Sequence, residues 1–137
     1  MQRNTESQSG FTLIEALVAL LVLSIGLLGV AAMQLKALQG AHAAYQRSIA
    51  SLAAQDAQER LWASLAESGT LVCPSESIVN GVGEEWETMW SAFLPDIDPD
   101  PVDDLGDCEF LISVTWAEER FGGGGEAFSY TVRLPGE

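Results

Sequence analysis

Residues 10–35 read GFTLIEALVALLVLSIGLLGVAAMQL, and this stretch decides most of the fold. Glu15 is its one charged residue, and residues 16–35 are twenty consecutive uncharged positions. A helix needs ~20 predominantly apolar residues to cross the hydrocarbon core of a bilayer. The stretch therefore predicts an α-helix that spans a membrane once.

A cleaved secretory signal peptide is the main alternative to a membrane helix. The apolar region of a signal peptide is only ~7–15 residues long and ends in small residues. Here the apolar run is longer and continues into more helical sequence without a turn. A membrane helix is therefore favoured, although its orientation stays open because Arg3 on one side faces Lys36 and Arg47 on the other.

The charge of the chain is unevenly placed along its 137 residues. Residues 67–137 carry sixteen of the 20 acidic residues but only two of the six basic ones, so the whole net charge of −14 lies there. Nucleic-acid binding is excluded, because phosphate contacts need clustered Lys and Arg. The length allows one small domain or a domain plus a tail, and it excludes a multidomain enzyme.

Glu15 is an unusual residue for an ordinary membrane anchor. An ionised carboxylate in hydrocarbon costs at least ~2.5 kcal/mol, so such residues are usually functional and partnered. Cleavage after Gly10 would create an amino group that supplies the opposite charge, within the chain or from a neighbour. The alternative is an interfacial glutamate at a helix start, favoured by the helix dipole.

The residues around Gly10 resemble the prepilin processing site of type IV pilins and their relatives. A short polar leader, MQRNTESQS, precedes Gly10, and the aromatic Phe11, the lone Glu15 and the apolar helix follow. The resemblance implies that prepilin peptidase cleaves after Gly10 and N-methylates the new amino group of Phe11. It also implies that Glu15 pairs with the Phe11 amine of an adjacent subunit during assembly.

Residues 16–35 and the later stretch AAYQRSIASLAAQDAQERLWAS (43–64) look like those of PilV-type minor pilins, also called pilus modification proteins. The resemblance runs from Gly10 to Ser64, under half of the chain, and depends on residues 23–29 and 47–60. It implies an α+β, type IV pilin-like fold, in which one long N-terminal helix packs on a small antiparallel β-sheet head. The implied function is a minor pilin that initiates type IV pilus assembly and sits in the tip complex, supporting adhesion and twitching motility.

The resemblance also implies partners and a location. The partners are prepilin peptidase, other minor pilins, a tip adhesin and the pilus assembly platform, with no cofactor. The chain would be a single-pass inner-membrane protein with a periplasmic head, and would move to the pilus tip on assembly. Two alternatives stay open: a minor pseudopilin of a type II secretion system, and a membrane-anchored sensor that needs neither Gly10 nor Glu15.

One helix is predicted from Phe11 to about Glu67, ended by Ser68 and Gly69. Its second half carries an apolar stripe with helical spacing, which favours packing on the head over a dimeric coiled coil. The predicted segments are a cleaved leader (1–10), a membrane or filament-core half (11–35), an amphipathic half (36–67) and the head (68–137). The stripe comprises Leu35, Leu38, His42, Tyr45, Ile49 and Leu52, continued by Ala54, Ala57, Leu61 and Leu65.

In the head, 108–116 and 127–134 are rich in β-branched and aromatic residues and predict two strands. The glycine run between them predicts an antiparallel hairpin. Weaker signals predict short strands at 71–73 and 77–82, and a loop over 84–101 with one helical turn near 87–93.

Cys73 and Cys108 are the only cysteines of the chain. A head of this size has a thin core, and small domains often need a crosslink. In an oxidising periplasm the two should pair. Loop-closure estimates give such a disulfide roughly 3–4 kcal/mol of stabilisation.

The spacing of Asp96, Asp98 and Asp100 resembles the start of a calcium-binding loop. An EF-hand requires Gly at position 6 and Glu at position 12 of the loop, where this chain has Pro101 and Asp107. A solvated acidic loop is favoured, and calcium is the weak alternative. The head has no histidine and no nucleophile beside a base, so neither an enzyme nor a resident metal is expected.

Overall fold

The computed structural model describes Gly10 and residues 12–69, 71–118 and 124–136. The chain divides into two compact units, one ending at Gly40 and the other beginning at Ala41. Helix α1 (Leu13–Ser68) contains the boundary between them. The predicted helix is confirmed with bounds shifted by one or two residues, and Phe11 lies outside the described residues.

The two ends of α1 have identifiable causes. At the start, the Thr12 carbonyl accepts hydrogen bonds from the Glu15 and Ala16 N–H groups, at 3.0 and 3.2 Å. At the end, Gly69 adopts a φ of +61°, the left-handed conformation that commonly terminates a helix. The helix is long and apolar enough near its N-terminus to cross a membrane.

The second unit contains a three-stranded antiparallel sheet in the order β1-β2-β3. Its strands are β1 (Val102–Gly106), β2 (Glu109–Ala117) and β3 (Gly125–Arg133). Strands β2 and β3 pair without a register shift, from Glu109 opposite Arg133 to Ala117 opposite Gly125. The predicted hairpin and the predicted α+β class, a long helix with a small antiparallel sheet, are confirmed.

The segment before the hairpin differs from the prediction. The expected strands at 71–73 and 77–82 are wrong, because a 3₁₀ turn (Glu76–Ile78) forms where Ser75 caps the Ser77 N–H. The short helix α2 (Glu85–Trp90) overlaps the helical turn predicted near 87–93 and begins two residues earlier. Strand β1 was not predicted, since its sequence VDDLG has low β-propensity and forms only by pairing with β2.

The face of α1 that packs in the second unit is a line of small residues, and part of the predicted stripe is wrong. Tyr45 and Leu52 are 56% and 48% exposed, and Leu35 and Leu38 are also exposed. Alanine lets the helix approach the core more closely than these larger side chains would, which rotates the buried line. That line comprises Gln46, Ala50, Ala53, Ala54, Ala57, Leu61 and Leu65.

Three indole N–H groups hold the head against α1. Trp86 is 1% exposed and donates to the Ala53 carbonyl at 2.9 Å. Trp90 donates to Asp56 Oδ2 at 3.0 Å, and Trp116 donates to Gln46 Oε1 at 3.4 Å. The hydrogen bond from the Trp116 indole satisfies the side-chain oxygen of Gln46, so this polar residue can be buried. A hydrophobic pattern does not reveal this role.

The structure joins Cys73 and Cys108 in a disulfide, with their Cα atoms 5.4 Å apart. Cys108 is 2% exposed and lies in the two-residue turn between β1 and β2, where both turn residues have positive φ. That pattern matches a type I′ hairpin turn, which a cysteine adopts at a steric cost. The disulfide therefore ties the segment after α1 to this turn.

We predict that Gly136→Ala destabilises the head. A Cβ at this position would overlap Cys108 Sγ and lie 3.1 Å from Cys73 Sγ and 3.2 Å from the Leu71 carbonyl oxygen. Overpacking of this kind costs about 1–3 kcal/mol. Thermal unfolding of the detergent-solubilised chain, followed by tryptophan fluorescence, should show the loss. Gly124→Ala is the control, since nothing lies within 4 Å of its Cβ position; equal midpoints for both variants would contradict the prediction.

We predict a pH-dependent contribution from Tyr130, whose hydroxyl lies 2.8 Å from Gln58 Oε1 and 3.1 Å from the Ala54 carbonyl oxygen. Burial raises the pKa of this phenol above its ordinary value of 10.0, so the unfolded chain ionises first. The contribution of the neutral Tyr130 phenol to the free energy of unfolding is complete below pH ~10, and it is lost as pH rises through the folded-state pKa.

Tyr130→Phe is the test of this contribution. The melting temperature of the wild-type chain should exceed that of the variant at pH 8, because one hydrogen bond contributes about 1 kcal/mol. The difference should shrink above pH 10. A difference that stays constant from pH 8 to 11 would show that the phenol does not titrate with unfolding.

Candidate processing and assembly site

Gly10 is exposed and precedes α1. Among the residues that the structure describes, no atom lies within 4 Å of the position that a Cβ on Gly10 would take. Packing against the described residues therefore does not require glycine at this position. Cleavage after Gly10 stays a prediction.

Thr12 and Glu15 form the first turn of α1. The Thr12 Oγ1 atom lies 3.4 Å from the Glu15 N–H, in addition to the carbonyl contact at 3.0 Å. Thr12 is thus the N-cap residue and Glu15 occupies the third helical position, the spacing of a capping box. The negative charge is stabilised there by the helix dipole.

The Glu15 side chain is exposed and points out from this first turn. Its position agrees with the sequence interpretation of a glutamate at a helix start, and it also leaves the carboxylate accessible to another chain. Phe11, the predicted partner residue, lies outside the described residues. The pairing of Glu15 with a neighbouring amine therefore stays a prediction.

Exposed apolar side chains of α1 precede and follow this carboxylate in the sequence. Leu13 and Ile14 are 82% and 68% exposed, and every described residue from Gly10 to Leu38 is exposed. Leaving so many large apolar side chains in water is unfavourable by about 25 cal/mol per Å² of surface. This half of the helix therefore needs a hydrocarbon environment or other helices around it.

The three aspartates of the weak calcium alternative do not form a metal site among the residues that the structure describes. Asp96, Asp98 and Asp100 are exposed, and no group of three or more potential metal ligands is found there. Asp98 Oδ1 instead accepts a hydrogen bond from the Asp100 N–H at 3.0 Å. The carboxylate thus stabilises the local turn.

The contact between His42 and Glu118 was not predicted from the sequence. His42 Nε2 lies 3.8 Å from Glu118 Oε2, and Glu118 is 8% exposed at the end of β2. His42 had been assigned to the apolar stripe, and no local signal identifies Glu118 among sixteen acidic residues. Its burial depends on which side of the sheet α1 covers.

Comparison with known proteins gives one finding, which falls on the N-terminal segment. Residues 7–31 match the family model of the prokaryotic N-terminal methylation motif. No curated protein and no solved structure is significantly similar to the chain.

The methylation motif implies processing by prepilin peptidase and assembly with pilus components. It also indicates a structural protein. Helix α1 is consistent with membrane anchoring, because it is long and apolar enough to cross a bilayer. The motif, the apolar helix and the small antiparallel sheet together support a type IV pilin-like protein.

Proposed function

We propose that this chain is a minor pilin of the PilV type, which joins other minor pilins in a short complex that initiates pilus assembly and remains at the tip. The observation that carries the proposal is the methylation motif at 7–31, which includes the start of the exposed apolar part of α1, where Glu15 is the one carboxylate. Adhesion and twitching motility depend on the pilus, and would depend on this chain through its role in initiation.

In the proposed mechanism, the apolar part of α1 moves from one apolar environment, the membrane, to another, the filament core. The N-terminal segment, residues 11–35, would lie in the inner membrane before assembly and in the filament core afterwards. Moving between these environments keeps the apolar side chains out of water, so the transfer costs little hydrophobic free energy. The position of the incoming helix along its axis is then decided by its polar groups.

Glu15 is the polar group that sets this position. Cleavage after Gly10 converts the Phe11 amide nitrogen into an amine, which carries a positive charge. Opposite charges attract more strongly in a medium of low dielectric constant than in water. The Glu15 carboxylate of one subunit and the Phe11 amine of its neighbour would therefore fix the register between adjacent helices.

The remaining segments have separate roles in this proposal. Residues 1–10 are the leader that prepilin peptidase removes. Residues 36–67 are the amphipathic half, which carries the head through its alanine line. Residues 68–137 form the head, which the Cys73–Cys108 disulfide stabilises in the periplasm and at the cell surface. There the head would contact other minor pilins and a tip adhesin.

We predict that Gly10→Val blocks processing. A β-branched side chain next to the scissile bond should exclude the substrate from prepilin peptidase, while α1 is unaffected because none of the described residues packs on Gly10. Mass spectrometry of sheared wild-type pili should find a chain that begins with N-methylated Phe11, in small amounts relative to the main filament subunit.

The variant should give an uncleaved precursor in the membrane fraction and none in the pili. Gly26→Val is a matched control for cleavage and methylation, since its Cβ position is equally unobstructed by the described residues and lies far from the cleavage point. A processed, methylated chain in the Gly10→Val strain would contradict the assignment. If the wild-type chain is absent from pili and its loss impairs protein secretion, the pseudopilin alternative is correct.

We predict that Glu15→Gln permits cleavage and membrane insertion but reduces the number of pili per cell. The amide is cheaper to bury than a carboxylate, so the monomer is more stable in lipid. The attraction that aligns the incoming subunit is lost, so initiation becomes inefficient while the surviving filaments keep normal length. Electron microscopy measures the number of pili per cell, and capture of the tip complex measures the efficiency of initiation.

Glu15→Asp is the control for this experiment, because it retains the charge on a shorter side chain. It should give more pili than Glu15→Gln. If Glu15 acted only through the helix dipole, worth ~0.3–1 kcal/mol, the Gln variant would show nearly normal pilus numbers. Wild-type values for both pilus number and complex capture would therefore refute the proposed charge pair.

A further inference from the structure

The two outer edges of the three-stranded sheet can be compared group by group, because the hydrogen-bond pattern shows which backbone groups face outward. In an antiparallel ladder, successive residues of a strand point their N–H and C=O alternately toward and away from the neighbouring strand. The Leu134 N–H donates to the Cys108 carbonyl at 2.9 Å, so the backbone N–H of Leu134 faces the neighbouring strand segment that contains β2. The central outward-pointing residues of β3 are therefore Ala127, Ser129 and Thr131.

The outward-facing groups of β1, at the other edge, follow from a second hydrogen bond. The Ser113 N–H donates to the Pro101 carbonyl at 2.7 Å, so the backbone carbonyl of Pro101 faces β2. Counting along β1 from Pro101, the next outward-pointing residues are Val102 and Asp104. Both edges thus present backbone donors that need a partner or water.

Side chains close the β1 edge. Asn80 accepts from the Val102 N–H at 3.0 Å with Oδ1 and donates to the Val102 carbonyl at 2.6 Å with Nδ2. Glu76 Oε2 accepts from the Asp104 N–H at 3.1 Å. A register shift between Asp104 and Gly106 further disturbs the strand. Side-chain caps and bulges of this kind prevent another strand from pairing with an edge.

The β3 edge has none of these features. Within the described part of the chain, no hydrogen bond is formed by the N–H groups of Ala127, Ser129 and Thr131. The strand is nine residues long and contains no proline, no lysine and no register shift. A long, regular edge is a template for another strand.

The inner face of β3 is also only partly covered. Phe128, Tyr130 and Val132 pack against the core but are half-buried, whereas the alternate residues of β2 are fully buried. A further strand beside β3 would shield these three side chains from water. The apolar surface and the backbone donors therefore favour the same occupant.

We propose that the β3 edge binds an extended strand of another subunit, one that carries Lys or Arg, so that the sheet continues from one protein into the next. The partner's backbone would pair with the groups of Ala127, Ser129 and Thr131. This inference rests on the proposed function in assuming that the chain works in an assembly of several different subunits.

Charge determines which kind of subunit fits. Residues 67–137 carry a net charge of −14, so two heads of this chain would repel each other at close range. Pairing of β3 with the β1 edge of a second copy is blocked by Asn80 and Glu76. A basic strand from a different protein is attracted by the acidic head and meets neither obstacle.

Photo-cross-linking in intact cells tests the proposal. Ala127 is replaced with p-benzoylphenylalanine in the full chain, and Asp103 on the closed edge is replaced in the same way as a control. We expect an adduct with a different protein only from position 127, and its peptide should map to an extended basic segment. Ser129→Pro should lower the adduct yield about fivefold, the factor expected when one hydrogen bond is lost, while Ser129→Ala should leave it unchanged.

Proline is suited to this test because the Ser129 N–H does not bond to β2, and edge strands tolerate proline at such positions. Thermal unfolding of the variant checks the fold. If the Ser129→Pro variant is unfolded, amide hydrogen exchange of the wild-type chain is measured instead. The N–H groups of 127, 129 and 131 should exchange freely in the solubilised chain and be protected in the cross-linked complex.

Each outcome decides between the proposals. Absence of an adduct at position 127, an adduct that a folded Ser129→Pro variant forms at full yield, or an adduct only with a second copy would overturn the inference. So would amides that stay unprotected in the complex. If the expected adduct forms but the chain is absent from sheared pili, the strand pairing stands and the minor-pilin function fails.

Discussion

The structure depends on one constraint, which is that a single continuous helix must suit two different surroundings. In hydrocarbon, backbone groups have to be satisfied within the segment itself, and an α-helix achieves this at every interior position. The first part of α1 therefore needs only apolar side chains, and all of its described residues up to Leu38 are exposed. The later part meets a folded head, where small residues such as Ala50, Ala53 and Ala57 are fully buried.

The head compensates for its small size by tying its irregular segments to α1 and to the sheet. Indole donors from Trp86 and Trp90 reach α1, and the disulfide connects the chain after α1 to the first hairpin turn. The segment with the 3₁₀ turn caps the β1 edge through Asn80 and Glu76. Little regular secondary structure is thus needed to hold one edge of the sheet closed, whereas the described residues place no such cap on the β3 edge.

The sequence predicted the elements whose pattern is local. The hairpin of β2 and β3 was predicted because alternating apolar residues flank a glycine run, and α1 because no proline interrupts its apolar and helical spacing. Strand β1 was missed, because VDDLG forms a strand only through partners that lie elsewhere in the chain. The buried line on α1 is rotated relative to the predicted stripe for the same reason. Which side chains of the helix are buried depends on how the sheet packs against them.

By itself the sequence determined the processing signal, the position of Glu15 and the two kinds of surroundings along α1, because these follow from residue type and spacing within one continuous segment. Only the tertiary structure decided that Gln46 is buried, that Glu118 contacts His42 and that the two sheet edges differ. These features arise between residues that are distant in the chain. Their contacts depend on the packing of α1 against the sheet, which no local pattern records.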